Sequence, residues 1–159
     1  GHPVWLDKPV GSLPLHLLSN QPKTRLHSQY DHGAYSQASK VQGREPLTLN
    51  RQDAQARGID EGDVVRVFNP RGAFLAGVIL SDDIRPGVAQ IATGAWFDPL
   101  SKSHSHSLEV HGNPNVVTED VGSSSLSQGC SAQTAFVEVE KWRGPLPAIT
   151  AFDPPLILD

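Results

Sequence analysis

The densest group of side chains suited to ligand binding lies in the run Leu18–Gln29, which contains amides, hydroxyls, a guanidinium and an imidazole. This run directly follows Leu15–Leu18, an apolar stretch typical of a strand. A surface loop does not need so many hydrogen-bond donors, whereas a site for a polyanionic, heteroaromatic ligand does. The run therefore predicts ligand binding, and the alternative is a solvated polar loop.

A second polar segment, Gly112–Thr118, combines Gly and Pro with Asn, and Gln128 and Gln133 follow it. Asn and Gln each offer a donor and an acceptor, which recognition of a pterin or guanine edge requires. The sequence has no P-loop and no dinucleotide-binding glycine motif after a strand. A phosphate would therefore be held by loop amides and by side chains such as Arg25, since a guanidinium binds phosphate through its planar fork.

Other chemistries are weakly supported. Cys130 is a lone cysteine, which is usually a small buried hydrophobe rather than a nucleophile. The serines at 123–125 lack the strand–turn–helix pattern of a nucleophile elbow. His104, His106 and His111 share one serine-rich stretch, but zinc needs three or four ligands in fixed geometry. We therefore predict neither a catalytic residue nor a metal ligand in this chain.

Composition narrows the functional classes further. The chain has 159 residues and a net charge of −4, so non-specific nucleic-acid binding is not expected. Its apolar runs are all shorter than a membrane span, and its single Cys excludes an internal disulfide. The first two residues, Gly1 and His2, are typical of a cloning remnant. We expect the chain to be a fragment of a longer protein.

The elements that would position these residues are mostly strands. Asn50 is a candidate helix cap for Gln52–Arg57, Gly58 a left-handed stop, and residues 34–42 are expected to hold a helical turn. The many turn residues favour a closed β-barrel, which leaves no exposed strand edge. We predict a mainly β fold with short helices and long polar loops, the longest from Gly94 to Gln128. The expected strands are Leu15–Ser19, Leu47–Leu49, Val64–Phe68, Ala73–Leu80, Val88–Thr93 and Ala135–Trp142.

Several motifs in a fixed order resemble those of one known family. The set is similar to the C-terminal molybdopterin-dinucleotide-binding domain of the dimethyl sulfoxide reductase superfamily, above all its biotin sulfoxide reductase and trimethylamine N-oxide reductase branch. The resemblance covers roughly residues 13 to 155. The motifs are Arg25–Gln29, Gly43–Pro46, Ala56–Val67, Gly94–Pro99 and Gly112–Thr118.

This resemblance implies a six-stranded double-psi β-barrel. It implies that the parent enzyme carries molybdenum held by two molybdopterin guanine dinucleotides and reduces S-oxides or N-oxides by oxygen-atom transfer. The metal ligand of that branch is a serine on another domain. The resemblance therefore predicts that the isolated chain is inactive, and that its partners are the cofactor and the N-terminal domains of the same polypeptide.

The resemblance also assigns roles by position. Ser19, Asn20 and Gln21, with Arg25, Leu26, His27, Ser28 and Gln29, would line the pterin and pyrophosphate. Asn115 matches an asparagine that hydrogen-bonds a pterin, and Gln133 stands at a polar or basic pterin contact. Trp96 would shape the channel near the pterin, and Gln128 is a further candidate. Many relatives have histidine where Asn20 or Gln21 stands, so the partner of the dinucleotide at that end stays open.

We expect a linker or cloning remnant at 1–12, the binding barrel at 13–143 and an extended tail at 144–159. Two alternatives remain: a non-catalytic double-psi barrel that serves as an interaction module, and the same domain from a formate- or nitrate-type molybdoenzyme. The resemblance to biotin sulfoxide reductase predicts a cytoplasmic protein, whereas the trimethylamine N-oxide branch tends toward the periplasm.

Overall fold

The computed structural model describes residues 14–20, 31–93, 95, 97–100, 108–117 and 135–153. The described helices are α1 (Ala34–Ala38), α2 (Arg51–Ala56) and a short 3₁₀-helix, Pro114–Val117. Each described strand begins and ends within one residue of its predicted bounds. The strands are β1 (Leu15–Asn20), β2 (Pro46–Asn50), β3 (Val64–Asn69), β4 (Gly72–Ser81), β5 (Val88–Ala92) and β6 (Ala135–Lys141).

Local signals account for the helix that separates β2 from β3. The Asn50 side chain accepts a hydrogen bond from the backbone N–H of Gln52 at 2.8 Å, so the predicted N-cap is confirmed. Gly58 has φ +66°, the left-handed conformation that ends the helix as predicted. Asp53 lies in the first turn, but it is buried and accepts the N–H of Gly87 at 2.7 Å. Its main contact is thus a hydrogen bond to the turn before β5.

The strands form a closed barrel in the order β1-β5-β2-β4-β3-β6. Strands β1 and β5 pair in parallel, as do β4 and β2, while the β3–β4 and β6–β1 pairs are antiparallel. The pairings stay the same when β1 is exchanged with β4, β2 with β5 and β3 with β6. The first three strands and the last three are therefore related by a pseudo-two-fold axis. This is the double-psi arrangement, and the predicted fold class is confirmed.

The barrel core follows from period-two alternation along the strands. In β6, Ala135, Val137 and Val139 are buried while Phe136 and Glu140 are exposed. A smaller apolar cluster lies on the opposite face of β4, where Leu75 packs with Val64, Val110, Leu108, Trp142 and Ile149. This second cluster attaches residues 108–110 and the C-terminal residues to the barrel wall.

One end of the barrel gathers the strand termini that matter for function. The carboxyl ends of β1, β5 and β3 lie there with the amino ends of β4 and β6, as the strand registers require. We call it the Asn20 end, and define it by Asn20, Ala92, Asn69, Gly72 and Ala135. Helix α2 lies at the opposite end of the barrel, because β2 is antiparallel to β5 and its carboxyl end, which leads into α2, points away from the Asn20 end.

Candidate functional site

Strand β1 delivers Ser19 and Asn20 to the Asn20 end. Ser19 shares the inward face of β1 with Leu15 and Leu17, and its hydroxyl is buried with no hydrogen-bond partner among the described residues. The Asn20 carbonyl accepts the backbone N–H of Thr93 at 2.9 Å, which ties β1 to the residues that follow β5. A buried hydroxyl without a partner is unusual in a folded chain, and it marks a position where a ligand atom could bond.

Residues 108–110 form a short ladder on the part of β4 that β2 does not cover. The N–H of Leu75 bonds to the Glu109 carbonyl at 2.8 Å, and the N–H of Glu109 to the Ala73 carbonyl at 3.0 Å. On its other side, the N–H of Val110 bonds to the Asp98 carbonyl at 2.8 Å. This part of the long polar stretch is therefore ordered by pairing with the barrel wall.

The Glu109 carboxylate is fully buried and lies between two loop segments. One oxygen, Oε1, accepts the N–H groups of His111, Gly112 and Asn113 at 3.1, 2.6 and 2.7 Å. The other, Oε2, accepts the N–H of Asp98 at 2.8 Å. Desolvation by burial raises the pKa of Glu109 to about 7, although these four hydrogen bonds favour the ionised form and oppose the rise.

Asn113 and Asn115 stand on the segment that Glu109 holds. The Asn113 amide donates to the Ala95 carbonyl at 3.0 Å and accepts the N–H of Asn115 at 3.0 Å. The Asn69 amide donates to the Val117 carbonyl at 2.8 Å and so ties the 3₁₀-helix to the end of β3. Asn115 itself is exposed at the Asn20 end. Covalent and hydrogen-bonded links thus connect Asn20, through Thr93 and Ala95, to Asn115.

Gly112 allows this segment to lie close to the start of β2. Its φ is +103°, and a Cβ there would stand 2.6 Å from the Glu45 Cβ. The N–H of Glu45 also bonds to the His111 carbonyl at 2.9 Å. Only glycine combines that φ with so close an approach. The position is therefore fixed by both backbone conformation and packing.

A buried charged cluster supports the segment from behind. The Lys40 ammonium lies 2.9 Å from Asp31 Oδ1 and 3.0 Å from Glu45 Oε2, and all three side chains are almost completely buried. His111 Nδ1 is 4.0 Å from Asp31 Oδ2, and its ring meets Phe152 edge-on. Because Lys40 contacts both carboxylates, these groups form a buried network whose members depend on each other.

The C-terminal residues close over the other side of the segment. Asp98 accepts the N–H groups of Thr150 and Ala151 at 2.6 and 3.0 Å, and the Thr150 hydroxyl at 2.6 Å. Arg44 donates to the Pro147 carbonyl at 2.6 Å. Burial lowers the pKa of Arg44, against the opposing influence of the charges on Glu109 and Asp98. The residues after β6 therefore stabilise, through hydrogen bonds, the segments that carry Ala95 and Asn113.

Among the predicted binding residues that the structure describes, Ser19, Asn20 and Asn115 lie at the same barrel end. Their role in binding stays a prediction. The remaining candidates lie outside the described residues: Gln21, Arg25, Leu26, His27, Ser28, Gln29, Trp96, Gln128 and Gln133.

Sequence reasoning missed Glu109 and Asn113 as organising residues. Glu109 interrupts the apolar pair Leu108 and Val110, and an acidic residue within an otherwise apolar strand-like triplet is a usable signal. His111 belongs to the same polar stretch as His104 and His106, and the structure places it completely buried. In the part of the chain that the structure describes, no three His, Cys, Asp or Glu side chains are grouped to hold a metal ion.

The strand order and the amides at one barrel end place the chain in the class of double-psi β-barrel domains. The comparisons with known proteins identify the family within that class. The sequence matches the family described as "Molydopterin dinucleotide binding domain" over residues 15–136, and the chain belongs to this family. The resemblance seen in the sequence is thereby confirmed.

Two curated relatives and one solved structure place the chain more closely. It is 48% identical to "Trimethylamine-N-oxide reductase" of Salmonella typhimurium, with 98% of this chain and 19% of that protein covered. It is 44% identical to "Dimethyl sulfoxide/trimethylamine N-oxide reductase" of Cereibacter sphaeroides, with 97% of this chain and 20% of that protein covered. Acetylene hydratase from Pelobacter acetylenicus shares the fold, with a TM-score of 0.62 at 17% identity, covering 81% of this chain and 18% of that one.

The chain spans about a fifth of the length of the curated relatives it matches. Among the described residues, none of the helices is long and apolar enough to cross a membrane.

Proposed function

We propose that this chain forms one wall of the site for a molybdenum bis(molybdopterin guanine dinucleotide) cofactor in a larger oxidoreductase that reduces N-oxides or S-oxides. The observation that carries the proposal is that Ser19, Asn20 and Asn115 lie at the same end of the barrel. The chain also belongs to a dinucleotide-binding family. The names of the relatives favour an N-oxide such as trimethylamine N-oxide over biotin sulfoxide.

The residues at the Asn20 end fit such a cofactor. The buried Ser19 hydroxyl needs a hydrogen-bond partner, and the amide of Asn115 can pair with the donor and acceptor edge of a pterin. When bound, the cofactor supplies the oxygen-atom transfer and the electron-transfer chemistry. The chain would hold and orient it, and Arg25 would bind the pyrophosphate through charge-assisted hydrogen bonds.

The convergence of the described candidates also bears on the two alternatives. An interaction module does not require Ser19, Asn20 and Asn115 to share one end of the barrel, whereas a ligand site does. A formate- or nitrate-type enzyme would share this domain, but the most similar proteins named above are N-oxide and S-oxide reductases. The observations therefore favour the oxide reductase.

The proposal is tested with the full-length protein that carries this chain and its Asn115→Ala variant. We expect the variant to retain less dinucleotide, because loss of one hydrogen bond weakens binding about 2- to 10-fold. Guanine nucleotide released by acid hydrolysis, molybdenum content and trimethylamine N-oxide reduction are the measurements. Gln55→Ala is the control, since Gln55 is exposed on α2 at the opposite end.

Two results would contradict the proposal. A wild-type protein that contains no guanine nucleotide would exclude the cofactor assignment. Turnover of N-oxide by the isolated 159-residue chain, supplied with excess cofactor, would show that the catalytic centre does not need other domains.

We also propose the domain division and the compartment. Residues 13–143 would form the binding domain and 144–159 a tail, which is supported by the hydrogen bonds from Thr150 and Ala151 to Asp98. The compartment follows the branch: resemblance to biotin sulfoxide reductase predicts the cytoplasm, whereas similarity to trimethylamine N-oxide reductases supports the periplasm, toward which that branch tends. Fractionation of the source cells with periplasmic and cytoplasmic marker enzymes distinguishes the two.

A further inference from the structure

Glu109 binds two loop segments at once, and among the described residues the hydrogen bonds that reach its carboxylate come from backbone N–H groups. Three consecutive N–H groups, from 111 to 113, converge on Oε1, and the N–H of Asp98 reaches Oε2. Converging N–H groups of this kind form an anion-binding nest. Here the chain's own carboxylate fills the nest, so these N–H groups are not available to the phosphates of a ligand.

The surroundings of Glu109 explain why an ionised side chain suits this position. The charge on Arg44 interacts with Glu109, and the titratable residues Asp98 and His111 both donate their backbone N–H groups to its carboxylate. A carboxylate offers acceptors on both oxygens. A glutamine of the same shape offers one acceptor and one donor, so its NH₂ group would face at least one N–H group and leave that group unpaired.

We propose that Glu109 is a positioning residue for the cofactor. Its carboxylate fixes the segment that carries Asn113 and Asn115 against the segment that carries Ala95 and Asp98, and so presents the Asn115 amide at the Asn20 end. The proposal rests on the proposed function, because it concerns the same binding site. It assigns no proton transfer to Glu109, which lies fully buried behind the loops.

The test compares the full-length wild-type protein with Glu109→Gln and with Glu140→Gln. Glu140 is a matched control, because it is an exposed carboxylate on β6 that pairs with Arg66. Hydrogen exchange measured by mass spectrometry reports on peptides that cover 95–100 and 109–117. The dissociation rate of the cofactor is followed by release of guanine nucleotide, and melting temperature reports on the fold.

We expect Glu109→Gln to speed exchange in both peptides and to raise the cofactor dissociation rate about tenfold. Its melting temperature should fall by about a few degrees, because one buried N–H group is left unpaired. Glu140→Gln should change none of these quantities.

Several results would overturn the proposal. Unchanged exchange in Glu109→Gln would show that the carboxylate does not fix the segments, and faster exchange with unchanged dissociation would show that the fixed segments do not serve the cofactor. If Glu109→Gln does not fold, Glu109→Asp decides, because its shorter carboxylate cannot reach all four N–H groups at once. Unchanged exchange and unchanged cofactor dissociation in that variant count against the proposal. Failure of the proposed function is separate: the wild type would then contain no guanine nucleotide, while the exchange data would still report on the loops.

Discussion

The buried Glu109 carboxylate should make folding stability depend on pH in a direction opposite to that of most carboxylates. Its pKa is raised from the ordinary 4.5 to about 7 in the folded chain. The folded state therefore binds this proton more tightly than the unfolded state. Stability from Glu109 is fully present below about pH 4.5, falls as the pH rises, and is lost once the pH passes through about 7.

The size of the effect follows from linkage. With pKa values of 4.5 unfolded and about 7 folded, the free energy of unfolding should fall by about 2.5 kcal/mol between pH 5 and pH 8 because of this group alone. Glu109→Gln cannot titrate and lacks this slope. The stability of wild type relative to the variant should therefore fall by about that amount over the same range.

Denaturant unfolding of the 159-residue chain and its Glu109→Gln variant, at several pH values from 5 to 8, measures this difference. Subtracting the two curves removes the titration of other groups that the substitution does not affect. A difference that is constant with pH, or one that grows in favour of wild type as the pH rises, would refute the assignment of the raised pKa to Glu109.

Three further predictions concern residues that support the site. Gly112→Ala should lower the free energy of unfolding by about 2–4 kcal/mol, because the added Cβ strains the backbone and overpacks against Glu45. Gly87→Ala is the control: its φ is +86° but the space around a Cβ is open, so the loss in the same denaturant assay should be only about 1 kcal/mol. Lys40→Met should destabilise by about 3–5 kcal/mol, since it removes the ammonium group that contacts two buried carboxylates. The more exposed Lys141→Met should change stability by about 1 kcal/mol or less, and equal effects would contradict the burial argument. Asp98→Ala should speed proteolytic cleavage of the C-terminal residues several-fold, because alanine removes all three hydrogen bonds from 150 and 151. Limited digestion followed by mass spectrometry measures the rate, and an unchanged rate would argue against this anchor.

The strands could be predicted because their pattern is local. In β6, alternation of apolar and polar side chains decides which face is buried, and it does so wherever the strand is placed. The cap at Asn50 and the stop at Gly58 are equally local, because each depends on hydrogen bonding or backbone freedom within one turn. Several ordered motifs were needed to predict the double-psi connections, because strand order depends on pairings between distant residues.

The organisation of the polar stretch after β5 could not be predicted in the same way. The sequence indicated a long loop from Gly94 to Gln128, yet Glu109 pairs with β4 and with the residues around Asp98. Those pairings form because β2 covers only the second half of β4 and leaves the first half open to another segment. The uncovered first half of β4 exists only in the assembled barrel, and no short-range sequence pattern predicts it.

The sequence by itself determined the strands, the helix caps and the family of this protein, because each rests on residue types at fixed spacing. It also singled out Ser19, Asn20 and Asn115 as binding candidates by the hydrogen-bonding capacity of their side chains. Only the tertiary structure decided that these residues share one barrel end, and that Glu109 fixes the segment bearing Asn115. The physical reason is that a buried carboxylate is stable only where several N–H groups converge on it, and folding alone brings those groups together.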